Sequence, residues 1–231
     1  MRAKSTALGI AAAAAFSGAA ISGALAAACT TAPLSTYISG VNSTCTVGDK
    51  TFSNFHYTPA GAVKGVVAAN VSVTPVTGPP PPGVPGPGLT FNANWSIGTK
   101  STTGDFLLNF KVALTANAVK AGTLIDDAYL HFVGSETASA NIKDSETITH
   151  NGVLLNQVLD TSASTTVDMK LSKFVTSVTV SDDMALHGKE GLSQLTKAFS
   201  QTTTPEPASL SLLGVGLTAL GLIGMRRRKR R

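Results

Sequence analysis

Few side chains in this sequence could do chemistry. The four histidines, His56, His131, His150 and His187, are scattered. None falls in a His-Glu-x-x-His or Cys/His spacing, so none belongs to a set that could close around zinc. Each reads as a surface or half-buried strand residue. There is no Gly-x-Ser-x-Gly elbow, Walker loop or dinucleotide fingerprint. Gly86-Pro87-Gly88 cannot cradle phosphate, because proline removes a backbone donor that such a loop needs. The acidic pairs Asp126-Asp127 and Asp182-Asp183 are the candidates for a hard cation. Calcium takes about six to eight oxygen ligands. Adjacent strand residues point to opposite faces, so each pair offers one carboxylate per face. Solvated strand ends that discourage edge pairing are the favoured reading. The expectation is no catalytic residue, no metal, no cofactor and no enzyme activity.

The two cysteines, Cys29 and Cys45, lie close together. In an oxidising compartment they can pair, and the closed loop is worth roughly 3 kcal/mol in the chain-entropy model. Two buried thiols are the alternative. Trp95, the sole tryptophan, sits in an alternating apolar set (Leu89, Phe91, Ala93, Trp95). Burial is therefore expected for it, in preference to an exposed sugar platform. Ice binding would need a flat, repeated Thr array, and the Thr-rich stretches 161–166 and 202–204 do not repeat at a fixed period.

Short alternating runs must position these residues. Residues 51–57 are aromatic and strand-like, and Pro59-Ala60-Gly61 reads as a turn. Val67, Ala69, Val71 and Val73 predict a strand that Pro75 stops. Residues 77–88 form a Pro/Gly-rich loop with a stiff four-proline run. Phe106, Leu108, Phe110, Val112 and Leu114 give the clearest alternation. Ala121-Gly122 turns the chain into a strand over 123–133. Asn151-Gly152 is a hairpin turn signal between a weakly alternating stretch, 137–149, and a strand at 153–159. Further strands are expected at 165–171 and 175–180. Leu192, Leu195 and Phe199 fit helical spacing, but a strand is preferred. Nine or ten short strands with Gly/Asn turns predict an all-β antiparallel sandwich.

The whole chain carries a formal charge of +5. Residues 29–204, however, hold ten Lys and no Arg against twelve acids, a net charge of −2. That body lacks the Arg-rich basic face of a nucleic-acid binder. It is one domain's worth of chain, rich in Thr, Ser, Val, Ala and Gly, which suits a secreted β-protein.

The positive charge sits at the ends. Arg2 and Lys4 precede a small-residue apolar run, and Ala24-Leu25-Ala26 and Ala26-Ala27-Ala28 both fit signal-peptidase cleavage, after Ala26 or Ala28. Residues 1–28 are thus read as a signal peptide. Cys29 just beyond raises a lipoprotein alternative, against which Ala26 stands where Leu is preferred. At the other end, Pro205-Glu206-Pro207 precedes the uncharged residues 208–225 and six basic residues at 226–231. As a helix, 208–225 would span roughly 27 Å, slightly under a hydrocarbon core of about 30 Å. The basic cluster would stay in the cytoplasm and the body outside.

This three-part tail resembles the PEP-CTERM sorting signal of Gram-negative bacteria. Pro205, Glu206 and Pro207 match its head, the Leu/Gly-rich span its centre, and Arg226, Arg227 and Arg228 its basic end. The resemblance implies recognition by exosortase, a membrane-embedded cysteine protease-transpeptidase, after transient anchoring in the inner membrane. Tails of this kind often carry the label "ice-binding protein C-terminal domain", for which the tail's chemistry gives no support. The body also resembles a recurring group of PEP-CTERM proteins, through its Cys pair, the segment from Val47 to Phe55, Gly88-Leu89-Thr90-Phe91, Ser181-Asp182-Asp183 and Phe199-Ser200-Gln201. The expectation is a cell-surface or extracellular-matrix protein with a structural or adhesive body at 29–204 and a sorting signal at 205–231. Its partners would be signal peptidase, exosortase and the inner membrane, with no nucleic acid. Binding of carbohydrate, namely exopolysaccharide, is the alternative.

Overall fold

The computed structural model describes residues 26–39, 43–77, 86–98, 102–135, 142–160, 164–188 and 191–203. Residues 1–25 of the expected signal peptide, the proline run and the sorting tail lie outside them. Strands are numbered along the chain and fall into two sheets. The first holds, in spatial order, β1 (Ala27–Ala28), β3 (Thr44–Val47), β4 (Lys50–Gly61), β7 (Thr103–Leu114), β12 (Ser177–His187), β9 (Lys143–His150) and β10 (Val153–Asp160). The second holds β11 (Ser164–Val175), β8 (Thr123–Ser135), β13 (Gly191–Thr203), β6 (Gly88–Ser96), β5 (Ser72–Val76) and β2 (Ala32–Pro33). Pairing is antiparallel except between β1 and β3.

Alternation explains the layering. Phe106, Leu108, Phe110, Val112 and Leu114 are all buried on β7, as expected of a strand with one face on the core. Aromatic rings from the two sheets meet between them. Phe52 on β4 lies 6.3 Å, centroid to centroid, from Phe199 on β13. Phe91 on β6 lies 5.8 Å from Phe110 on β7, and Trp95 stacks on Phe106 at 4.8 Å. This is the expected sandwich architecture. The Asn151-Gly152 hairpin also forms as predicted. Both residues take positive φ, 50° and 77°, the requirement of a tight primed turn, and Val153 pairs with His150.

Three local expectations need correction. Pro59-Ala60-Gly61 is no turn, since β4 runs through it with Pro59 opposite Phe106. Its other neighbour, β3, pairs with β4 only from Lys50 to Ser53, so Pro59 sits on a free flank where no donor is needed. Pro75 likewise continues β5, because β2 reaches only Ser72 and Val73. The run from Val67 to Val73 is part strand only: Ala68–Asn70 forms a 3-10 turn before β5 begins. Two short helices escaped the pattern. One is α1 (Leu34–Ser39), which buries Leu34 and Tyr37. The other is α2 (Ala116–Lys120), capped by the Thr115 side chain accepting from the Ala118 N–H.

The Leu192, Leu195, Phe199 set lies on a strand, as preferred. Its helix-like spacing comes from a change of register between Leu192 and Gln194. A bulge adds one residue, so two side chains three apart face the same way. On β4 a change of register between Ser53 and His56 does the same for Phe52 and Phe55, with Asn54 in the left-handed region at φ 57°.

Candidate functional site

The strongest chemical constellation lies inside the sandwich. On the first sheet Asp182 of β12 pairs directly with Glu146 of β9. Asp144 stands two residues from Glu146 and so on the same face. All three are fully buried. From the opposite sheet Lys197 of β13, also fully buried, reaches across to them. Its Nζ lies 2.5 Å from Asp182 Oδ1, 2.9 Å from Glu146 Oε2 and 4.0 Å from Asp144 Oδ2. Nζ donates to Asp182 Oδ1. Glu146 Oε2 is within ion-pair distance but off the hydrogen-bond line. Asp182 Oδ2 and Glu146 Oε1 accept no hydrogen bond among the described residues.

The neighbours are hydrocarbon. Leu108 stands opposite Asp182 on β7, and Leu89 and Leu130 stand opposite Lys197. All three are buried. In such a low-dielectric place a charge is costly unless paired. Burial pushes the Glu146 carboxyl up to about 7, with the Lys197 ammonium pulling it down and Asp182 pushing it up. Burial likewise raises Asp182 against the pull of Lys197. For Lys197 burial alone would favour the neutral amine, but Asp182, Glu146 and Asp144 together outweigh it and hold the ammonium above its ordinary value.

The three carboxylates converge within 4.8 Å of one another, the one such grouping among the described residues. Lys197 Nζ already lies among them, within 4.0 Å of an oxygen of each, and its charge stands where a cation would. Asp182 is therefore not the solvated strand end expected of it. It lies mid-strand and inward, while Asp183 faces out. Asp127 is buried at the margin, and burial raises its carboxyl, with Ser200 hydrogen bonds opposing.

A second buried lysine makes a parallel tie. Lys50 Nζ of β4 donates to Gln201 Oε1 of β13 at 2.6 Å and to Asp49 Oδ1 at 3.1 Å. Burial lowers its pKa against the pull of Asp49, Asp126 and Asp127. Cys29 and Cys45 form a disulfide that fastens the N-terminal segment to β3.

The remaining candidates are dispersed. His56 approaches Thr58, His131 approaches Thr166 and His150 meets the Ser177 carbonyl. Trp95 is buried, as expected, with Nε1 donating to the Tyr57 hydroxyl at 2.7 Å. Tyr57 donates on to the Val66 carbonyl, and burial pushes its hydroxyl up to about 12 despite the Trp95 bond. At one end of the first sheet a hollow of about 180 Å³ is lined by Thr103, Asp105, His187 and the backbone near Gly61. Ala26 and the exposed β1 residues Ala27 and Ala28, where cleavage is expected, lie beside the disulfide. Pro205, Glu206, Pro207 and Arg226 to Arg228 lie outside the described residues. Among the described residues, no helix is long and apolar enough to cross a membrane.

No family model matches the chain, and no curated protein does. Among solved structures it is similar to the carbohydrate-binding module TmCBM61 in complex with β-1,4-galactotriose (TM-score 0.37, 11% identity, 64% of this chain and 88% of that one). It is similar also to the family 11 carbohydrate-binding module of Clostridium thermocellum with a mixed-linked tetrasaccharide (TM-score 0.28, 13% identity, 66% and 91%). A third is the enzymatically active domain of bacteriophage CBA120 tailspike protein 4 (TM-score 0.30, 12% identity, 64% of this chain and 19% of that one). Likenesses this loose decide neither ligand nor activity.

Proposed function

We propose that this is an exported, non-enzymatic protein whose sandwich serves a structural or adhesive role at the cell surface or in the extracellular matrix. The observation that carries the reading is the inward turn of its reactive side chains. Lys197, Asp144, Glu146 and Asp182 tie one sheet to the other, and Lys50 with Gln201 does so again. Groups that an enzyme would present to substrate here hold the body together. Export rests on the resemblance of residues 205–231 to the PEP-CTERM signal, with signal peptidase and exosortase as processing partners. Replacing Pro205, Glu206 and Pro207 with Ala should leave the protein in the inner-membrane fraction with its tail intact. Release of the triple variant at the normal level would overturn the exosortase assignment.

A second reading, carbohydrate binding, has one feature in its favour. The hollow beside Gly61 brings three polar side chains, Thr103, Asp105 and His187, to an otherwise apolar lining. Binding there should show in titration calorimetry against exopolysaccharide and vanish in Asp105→Ala. Trp95 is no reporter for this, being buried. Heat that persists unchanged in Asp105→Ala would remove the hollow from consideration.

A further inference from the structure

We propose that Lys197 and Asp182 form a covalent amide across the sandwich, a self-made cross-link between β13 and β12. Three conditions for that chemistry meet at one point. The nucleophile, Lys197 Nζ, is held 2.5 Å from Asp182 Oδ1. The electrophile is the Asp182 carboxyl, whose second oxygen accepts no hydrogen bond among the described residues. A proton carrier, Glu146, stands 2.9 Å from Nζ. All three side chains are fully buried, which prepays the entropy of bringing them together and keeps out the water that would hydrolyse the product.

The step balances without any added reagent. Lys197 passes one proton to Asp182 along their hydrogen bond, which frees the Nζ lone pair and turns the carboxylate into the acid. That pair attacks Cγ of Asp182 and forms the N–C bond. Glu146 then takes a second Nζ proton and delivers it to the departing hydroxyl, which leaves as water as the C–O bond breaks with its electrons. One ammonium and one carboxylate become one secondary amide and one water, with no net change of charge and nothing oxidised or reduced. Glu146 ends as it began, and Asp144, 4.0 Å from Nζ, helps to hold the lysine head among the acids. A carboxyl whose proton affinity is raised towards neutrality is suited to passing a proton in both directions. The bond belongs to the folded body and does not depend on the export reading.

Peptide mapping of the purified folded protein tests this. Trypsin cannot cleave after an acylated lysine. The expected product is a branched peptide, lighter by one water than its parts. It joins residues 174–189 through Asp182 to the segment that begins at residue 190 through Lys197. A map in which Lys197 is cleaved normally and Asp182 is unmodified overturns the proposal, as does a branch that ends on Asp144 or Glu146. Glu146→Gln keeps the shape of the proton carrier and removes its function. Its branched peptide should fall at least tenfold in yield while circular dichroism shows the sheet retained. Undiminished branching in that variant would overturn the role of Glu146. The map of the unaltered protein stands by itself if the variant does not fold.

Discussion

Glu146 sets how the molecule responds to pH. Its folded-state value of about 7 stands above the ordinary 4.5, chiefly because it is buried. Below about 4.5 both folded and unfolded chains carry the proton. Between 4.5 and 7 only the folded chain does, so this group's contribution to stability is full at the acid end and is lost as pH rises through 7. The contribution is on the order of 3 kcal/mol, because the folded and unfolded values lie about 2.5 pH units apart and each unit corresponds to about 1.4 kcal/mol. Urea midpoints should therefore fall between pH 5 and pH 8, and Glu146→Gln should flatten that fall. The prediction is for chains in which Lys197 and Asp182 are not joined, because their charges help to set this value. An equal fall in both would contradict the assignment. These residues are half legible in the sequence. Asp144 and Glu146 lie on a period-two face with Ile142 and Ile148, and Lys197 lies between Leu195 and Phe199. Charges embedded in an apolar alternation announce an interior polar group. What the sequence withholds is partnership, because β9, β12 and β13 meet only through a long-range topology.

Elements are legible where alternation is unbroken, as on β7, and obscured where one residue is added. The bulges at Phe52–Phe55 and Leu192–Leu195 place apolar residues three apart, a spacing that a helix shares. Pro59 and Pro75 mislead for another reason. Whether proline ends a strand depends on what lies on its flank, and neighbouring β3 and β2 are too short to reach them. The β4 bulge makes its own prediction. Asn54 holds a left-handed φ of 57°, tolerable for Asn and Gly and costly for a β-branched residue. Asn54→Val should lower stability by about 1–2 kcal/mol relative to Asn54→Gly, read from urea midpoints. Matching midpoints would mean that the bulge is not held in solution.

At the scale of the whole molecule, two sheets of seven and six strands face one another, and β13 binds them. It sits between β8 and β6 in its own sheet, and it sends Lys197 and Gln201 to strands of the other. Residues 204–231 follow directly on its last residue, Thr203. A pull on that end of the chain enters the body along β13. Tension along a strand with partners on both flanks loads many hydrogen bonds at once instead of peeling them singly, and the lysine adds a grip on the layer beneath. At the opposite end β1 is a two-residue strip on an edge, and a pull there passes through the Cys29–Cys45 disulfide to β3. A tether at the C-terminal side would thus draw on a strand held on both flanks and from the layer beneath.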